Sequence, residues 1–394
     1  MLHCSNPDTA SLLEALKPVF NLSTIRPVVN MTTITNVSIY LTVFAILGVV
    51  NNPFINLKLN WGNEFTMWDP EECGTTLISV PRANLWVPDV VINEFMDENK
   101  APFVPYTYLF SNGVVSDSQP VRAITSCRLD IYLFPFDIQN CTLTFNSYTL
   151  KSNALQLDLP QTAEMIFEYS KSVMATMGEW VLTGIAANKH TLPSTTMGFY
   201  DEICFSLSLR RQPTMYVVNL LLPSCFLISV DLFSFILPPG DVDRSLFKMT
   251  LILGYTVFLV IMNDLLPITG NGIPLINVFL SLCLTMMVAS LLETIIVTNL
   301  LHGSSHYFRA PRWIRMLVLQ ILGRLVFLPP NLSELDLQAI RLQAEQHRKK
   351  SRSTEEWIQI GFIIDRLLFM VYIIFITVSF VTIVIIWVQS YKAA

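Results

Sequence analysis

Charge is scarce in this chain. Of its 394 residues, 14% are Asp, Glu, Lys or Arg and 52% are hydrophobic, which is too apolar for a single soluble domain. No basic stretch with interleaved aromatics occurs, which argues against a nucleic-acid surface. The seven cysteines include no Cys-x-x-Cys pair and no Cys/His cluster, which argues against a structural zinc site. Neither a nucleophile–base pair nor a phosphate loop can be picked out, so a membrane enzyme is disfavoured. A carrier is disfavoured too, because no pair of broken midplane helices is visible. Met1–Val19 lacks a basic start and a continuous apolar run, so it does not read as a signal peptide. A chain that exports its N-terminus is expected to carry such a leader ahead of Met1.

The charges that are present lie unevenly. Residues 1–212 hold 12 Lys+Arg against 19 Asp+Glu, an acidic domain that concentrates cations nearby. Four apolar segments follow, each long enough to span a bilayer. They are Met215–Leu237, Ser245–Leu266, Ile273–Leu301 and Leu367–Val388. Pro223 is expected to kink the first, with Asn219 and Asp231 facing protein rather than lipid. Only a turn, Pro238-Pro239-Gly240-Asp241, separates the first two. Residues 301–366 carry 10 Lys+Arg against 6 Asp+Glu, so the positive-inside rule makes this loop cytosolic and puts both chain ends outside. The sequons at Asn21, Asn30, Asn36 and Asn140 then lie outside as glycosylation candidates, whereas the one at Asn331 lies inside.

The N-terminal half reads as short β-runs between turn residues: Val37–Ala45, Ile131–Leu133, Thr142–Phe145, Trp180–Ile185 and Ile203–Leu209. Pro7–Phe20 reads as a leading helix. The expected fold class is a membrane protein, α+β, with an extracellular β-sandwich (1–212) followed by transmembrane helices one to three (213–301). Next comes a cytosolic segment (302–366) with an amphipathic helix at Arg312–Val326 and a long polar helix at Leu335–Arg366. A fourth transmembrane helix and an extracellular tail (367–394) complete it.

Cys127 and Cys141 flank Phe134-Pro135-Phe136-Asp137. Oxidised, the pair closes a loop around an apolar tip, either as a plain stabilising bridge or as a lever that presses on a neighbour. In the second span, helical spacing puts Asp243, Leu246, Thr250, Leu253, Val257, Ile261 and Asp264 on one face, with Phe247, Tyr255 and Phe258 on others. A buried helix charged at its ends would read this way. Several copies around an axis would instead make Asp243 and Asp264 anionic rings, and Leu253 and Val257 a constriction that closes by dewetting.

These motifs resemble the Cys-loop (pentameric) ligand-gated ion channels, and serotonin type-3 receptor subunits in particular. The matching text includes Trp68-Asp69-Pro70, Trp86-Val87-Pro88-Asp89, the Phe134–Asp137 tip, Arg210-Arg211-Gln212-Pro213, Ser245–Leu259 and Gly361–Phe369. Asn52–Phe54, Pro70–Cys73, Asn263–Pro267 and Ser290–Thr294 look closer to the accessory members. The resemblance implies a pentamer with related subunits in the plasma membrane at postsynaptic sites, surrounded by lipid. It also implies a pore for monovalent cations, a small amine agonist such as serotonin, and no cofactor, catalytic residue or metal ligand.

Carried over by position, Asp243 matches a selectivity ring, Leu253 the central gate and Asp264 an outer ring. Leu246 departs from the family, placing an apolar ring where polar side chains are common. The principal ligand face would comprise Asn93, Glu94, Phe95, Tyr148, Phe199 and Tyr200, with Tyr148 replacing a tryptophan. The complementary face retains Tyr106 and Tyr108, but Asn56 stands at a box tryptophan position beside Lys58, and Ser118 replaces an aromatic. Each of these rings also reads as ordinary strand packing. Coupling residues would be Phe134, Pro135, Phe136, Asp137, Arg211, Pro267 and Pro274, with Asp137 and Arg211 an ion pair. On the cytosolic helix, His347, Ser351 and Glu355 share a line that carries arginines in the homomeric relative. A non-conducting accessory subunit is the competing reading.

Overall fold

The computed structural model describes every residue except 48–51, 98, 123, 125–126, 128, 175–177, 194–197, 238–241, 266–271, 304–315, 317, 319–351 and 394. Two compact units result. One comprises Met1–Asp130 and Asp137–Gln212; the other takes in Ile131–Phe136 and the chain beyond Pro213.

The first unit is a β-sandwich. Its larger sheet has the order β3-β5-β6-β2-β1-β8 and its smaller one β4-β7-β10-β9. The strands of the larger sheet are β1 (Thr35–Leu47), β2 (Asn52–Met67), β3 (Leu77–Pro81), β5 (Tyr106–Phe110), β6 (Asn112–Arg122) and β8 (Leu155–Asp158). Those of the smaller are β4 (Val90–Ile92), β7 (Ile138–Ser147), β9 (Trp180–Pro193) and β10 (Phe199–Arg211). All pairings are antiparallel except β1 with β8. Strand β10 shows how register is set. Ile203, Phe205, Leu207 and Leu209 alternate inward, so a one-residue slip would expose every one of them.

The leading helix Thr9–Phe20 starts where the Asp8 carboxylate accepts a hydrogen bond from Ser11 N, and it buries Leu12 and Leu16. A disulfide from Cys4 to Cys73 ties this end to the one-turn helix Pro70–Cys73. That helix ends at Gly74 in the left-handed region (φ +70°), where any Cβ would lie 2.4 Å from the Pro7 carbonyl oxygen.

Among the described residues, four helices are long and apolar enough to cross a membrane: Thr214–Ser234, Asp243–Asp264, Leu275–Leu300 and Trp357–Gln389. The fourth lies within one continuous helix, Arg352–Ala393. In the first, the kink expected at Pro223 takes the form of a π-turn over Val217–Leu221. Pro223 has no N–H to donate and its ring crowds the carbonyl four residues back, so the turn before it widens. Asp231 is buried as expected, while Asn219 is exposed on the single subunit.

Two readings are corrected. Ile131–Leu133 is a turn, not a strand, closed by Phe134 N to Ile131 O and Phe136 N to Leu133 O. Its side chains are committed to the helical unit, and Pro135 offers no N–H to a ladder. The last strand, expected over Ile203–Leu209, begins earlier, with Phe199 and Tyr200 paired to Pro193 and Leu192. The amphipathic stretch Arg312–Val326, apart from Met316 and Val318, and most of Leu335–Arg366 lie outside the described residues, as does Pro267.

Candidate functional site: loop tip, pore face and amine face

Cys127 and Cys141 are bonded, with their Cα atoms 5.4 Å apart. Asp137, just after the tip, is buried and receives Arg211 Nε at 2.8 Å and Nη2 at 3.2 Å, so the expected ion pair is present as a two-pronged one. Arg211 also binds Glu179 and lies 4.2 Å from the Trp180 ring centroid. The last inward position of β10 thereby becomes a satisfied buried charge, which is the only kind a core tolerates.

The tip itself belongs to the helical unit. Phe134 is fully buried and meets the Tyr216 ring edge-on at 4.9 Å, and Phe136 meets Trp387 at 4.8 Å. The Tyr132 carbonyl accepts from Leu275 N, at the start of the third membrane helix, 3.0 Å away. Buried Pro274 stands immediately before that position. The loop thus touches the first, third and fourth helices through rings and one backbone bond. Beside Phe136 and Trp387, the first and fourth helices border an apolar cavity of about 640 Å³.

The second membrane helix is two-faced. Leu246, Leu253, Val257 and Ile261 are 52–66% exposed on the single subunit, and Asp243, Thr250 and Asp264 are exposed with them. Tyr255 and Met262, on the opposite side, are fully buried, and Tyr255 donates to Leu280 O. Phe247 is exposed and Phe258 half-buried at the flanks.

A charged cluster that sequence reasoning missed lies on the buried side. Arg244 donates to Asp365 at 2.6 Å and stands 3.7 Å from Glu293. Lys248 donates to Ser290 Oγ and O at 3.0 and 3.2 Å. Both cations face the Phe235 ring, at 5.1 and 4.0 Å. The signal was available: two cations one helical turn apart in an apolar span require carboxylates from neighbouring spans.

The proposed amine-face residues divide between the two sheets. On the outer side of the larger sheet, Tyr106 and Tyr108 are exposed and alternate with buried Thr107. Tyr108 sits opposite Ser116, and Ser118 sits opposite Lys58. Ser118 Oγ donates to Asn56 Oδ1 at 2.9 Å, and Lys58 lies over Tyr40, 5.7 Å from its centroid. Ser118 and Asn56 therefore bond each other, and the Lys58 ammonium occupies the same face.

On the smaller sheet, Asn93 N donates to Thr144 O, and the Glu94 carboxylate receives Thr144 N and Oγ1 at 2.7 and 2.5 Å. Glu94 thus pins its turn to β7. Phe95 lines a cavity of about 290 Å³ with Leu57, Leu59 and Gln119. Tyr148 is 83% and Phe199 55% exposed, with Tyr200 half-buried. The turn carrying Tyr148 is held by Asp89, which accepts from Ser147 Oγ and from Thr149 N and Oγ1 at 2.6–2.7 Å. Burial pushes the Asp89 carboxyl up, but these hydrogen bonds outweigh it and hold the group below its usual 3.8. The Trp86–Asp89 motif contained this residue without disclosing its partner.

Comparison with known proteins agrees. The neurotransmitter-gated ion-channel ligand binding domain matches residues 10–213 and the corresponding transmembrane region residues 220–336. The 5-hydroxytryptamine receptor 3E of Homo sapiens is 38% identical, over 95% of this chain and 90% of that one. The 5-hydroxytryptamine receptor 3A of Rattus norvegicus is 34% identical over 90% and 86%, and 5-hydroxytryptamine receptor 3B of Homo sapiens 33% over 98% and 92%. The chain is a multi-pass plasma-membrane protein with an extracellular N-terminal domain, and it is not an enzyme. It belongs to the neurotransmitter-gated ion-channel family, as a subunit related to the 5-hydroxytryptamine type 3 receptors.

Proposed function

We propose that this subunit joins related subunits in a pentamer around a cation-selective pore gated by an amine, serotonin being the agonist to which the relatives' names point. The carrying observation is the row from Asp243 to Asp264, exposed on one side of a helix whose other side is packed. Five such rows around an axis would place carboxylates at both ends and an apolar gate at Leu253 and Val257 between them. Asp137, Arg211 and the tip Phe134–Phe136 would transmit motion to the helices through Tyr132, Tyr216 and Trp387. The proposed division into 1–212, 213–301, 302–366 and 367–394 assigns sensing, pore, cytosolic exit and lipid contact in turn. Asn21, Asn30, Asn36 and Asn140 are all exposed, which supports glycan attachment.

The bond between Ser118 and Asn56, with Lys58 beside it, favours mixed pentamers in which another subunit supplies the complementary face. An amine loses the ring attraction of about 0.5–2 kcal/mol there and meets a positive charge. The same observation supports the second reading, a non-conducting accessory subunit. Whole-cell recording of serotonin-evoked current, for this chain alone and with a homomer-forming relative, tests both. A unitary conductance or reversal potential changed by co-expression supports the proposal. Currents identical to the relative's own in every conduction property support the accessory role.

A further inference from the structure

The buried charges beside the pore helix are poorly explained as scaffolding. Among the described residues, five Asp, Glu, Lys or Arg side chains from all four membrane helices are buried: Asp231, Arg244, Lys248, Glu293 and Asp365. Apolar side chains of similar volume would pack as well or better at lower desolvation cost. What the cluster achieves is local electrostatics. Arg244 follows Asp243 directly, so a buried cation sits in the same helical turn as the exposed carboxylate proposed to face permeating ions. Left alone, five such arginines around an axis would oppose cation entry. Each is met at 2.6 Å by Asp365 from the fourth helix and at 3.7 Å by Glu293 from the third. Inside a low-dielectric bundle that compensation is screened little by salt.

We infer that Asp365 and Glu293 are selectivity-determining residues that never touch the ion: they offset Arg244 so that the Asp243 ring presents a net negative potential at the inner mouth. This inference rests on the cation-pore reading. The formal charges of the cluster are two positive and three negative. Neutralising one carboxylate brings the sum to zero and leaves Arg244 under-compensated. Cation preference should then fall without any change in a pore-lining side chain. Lys248 donates to Ser290 and shares the Phe235 ring with Arg244; being a cation itself, it cannot replace either carboxylate in offsetting Arg244.

The test uses the full chain co-expressed with a homomer-forming relative, and reads reversal potential in asymmetric NaCl alongside surface labelling. Asp365→Asn and Glu293→Gln should each lower the Na⁺/Cl⁻ permeability ratio several-fold. The double variant Arg244→Gln/Asp365→Asn should restore it, because both the cation and its partner are gone. A merely structural role would leave the double variant as impaired as the single one, or more so. Wild-type selectivity retained in surface-expressed Asp365→Asn and Glu293→Gln would overturn the inference. If Asp365→Asn does not reach the surface, Glu293→Gln and the double variant decide in the same way. A wild-type pentamer with no preference between Na⁺ and Cl⁻ would defeat the cation-pore reading, and is recognised before any variant is recorded.

Discussion

At the scale of single residues, the buried pair Asp137–Arg211 gives the sharpest expectation. Both side chains are 1% exposed, so removing one strands the other without solvent. Arg211→Ala should destabilise the β-sandwich by about 3–5 kcal/mol, seen as a lowered thermal midpoint of the purified receptor. Arg211→Lys keeps the charge but not the two-pronged geometry, and should recover only part of the loss. Equal midpoints for wild type and Arg211→Ala would show that the pair carries no net stability. Asp89 gives a pH prediction. Its folded pKa is depressed, so its contribution is complete above its unfolded value near 4 and is lost as pH falls through the lower folded value. Stability measured from pH 6 downward should show Asp89→Asn weaker than wild type at pH 6, the two converging below pH 4. A constant gap down to pH 2 would assign the effect to shape rather than charge.

Residues were legible in the sequence to differing degrees. Asp137 and Arg211 were expected to pair only because their motifs resemble the family's; their charge and spacing alone did not join them. Glu94 was read as part of the ligand face, and each of its oxygens also accepts a hydrogen bond from Thr144. Nothing in a linear string says which partner an acceptor will meet. Arg244, Lys248, Glu293 and Asp365 went unconnected because the third and fourth helices are far from the second in sequence. Cys4–Cys73 was equally silent, its halves lying 69 positions apart in the chain.

At the scale of elements, the loop tip and the π-turn are where local rules met tertiary demands. Ile131–Leu133, just before the tip, reads as a strand by composition, but the packing of Phe134 and Phe136 on the helices goes with a turn there. Phe136→Ala removes a ring contact with Trp387 at 4.8 Å and opens the neighbouring cavity. Receptors carrying it should reach the surface but need several-fold more agonist for half-maximal current. An unchanged concentration–response curve would remove Phe136 from the coupling path. The first three membrane helices were legible to within about three residues at each end, because apolar length is a one-dimensional property, whereas the fourth begins at Trp357 rather than Leu367.

At the scale of the whole molecule, the question is what a pentamer containing this chain conducts. Leu246 is 62% exposed on the proposed pore face and would form an apolar ring one turn above Asp243. This chain alone should therefore pass little current, and Leu246→Ser should increase it. Recordings with no difference between the two would dismiss that ring as the obstacle. In mixed pentamers, introducing arginine at His347, Ser351 and Glu355 should reduce unitary conductance by placing cations on the proposed exit path. An unchanged unitary current would count against that path.

The sequence by itself determined the class of molecule: an exported β-rich half, four spans, a basic cytosolic loop and a row of pore-type residues at helical spacing. These follow from periodicity and hydropathy, which act along the chain. Only the tertiary structure decided which charges meet, that Ser118 and Asn56 satisfy each other, and that the loop tip lodges among helices. Such facts depend on contacts between distant segments, and a buried polar group takes whichever partner the fold brings within about 3 Å.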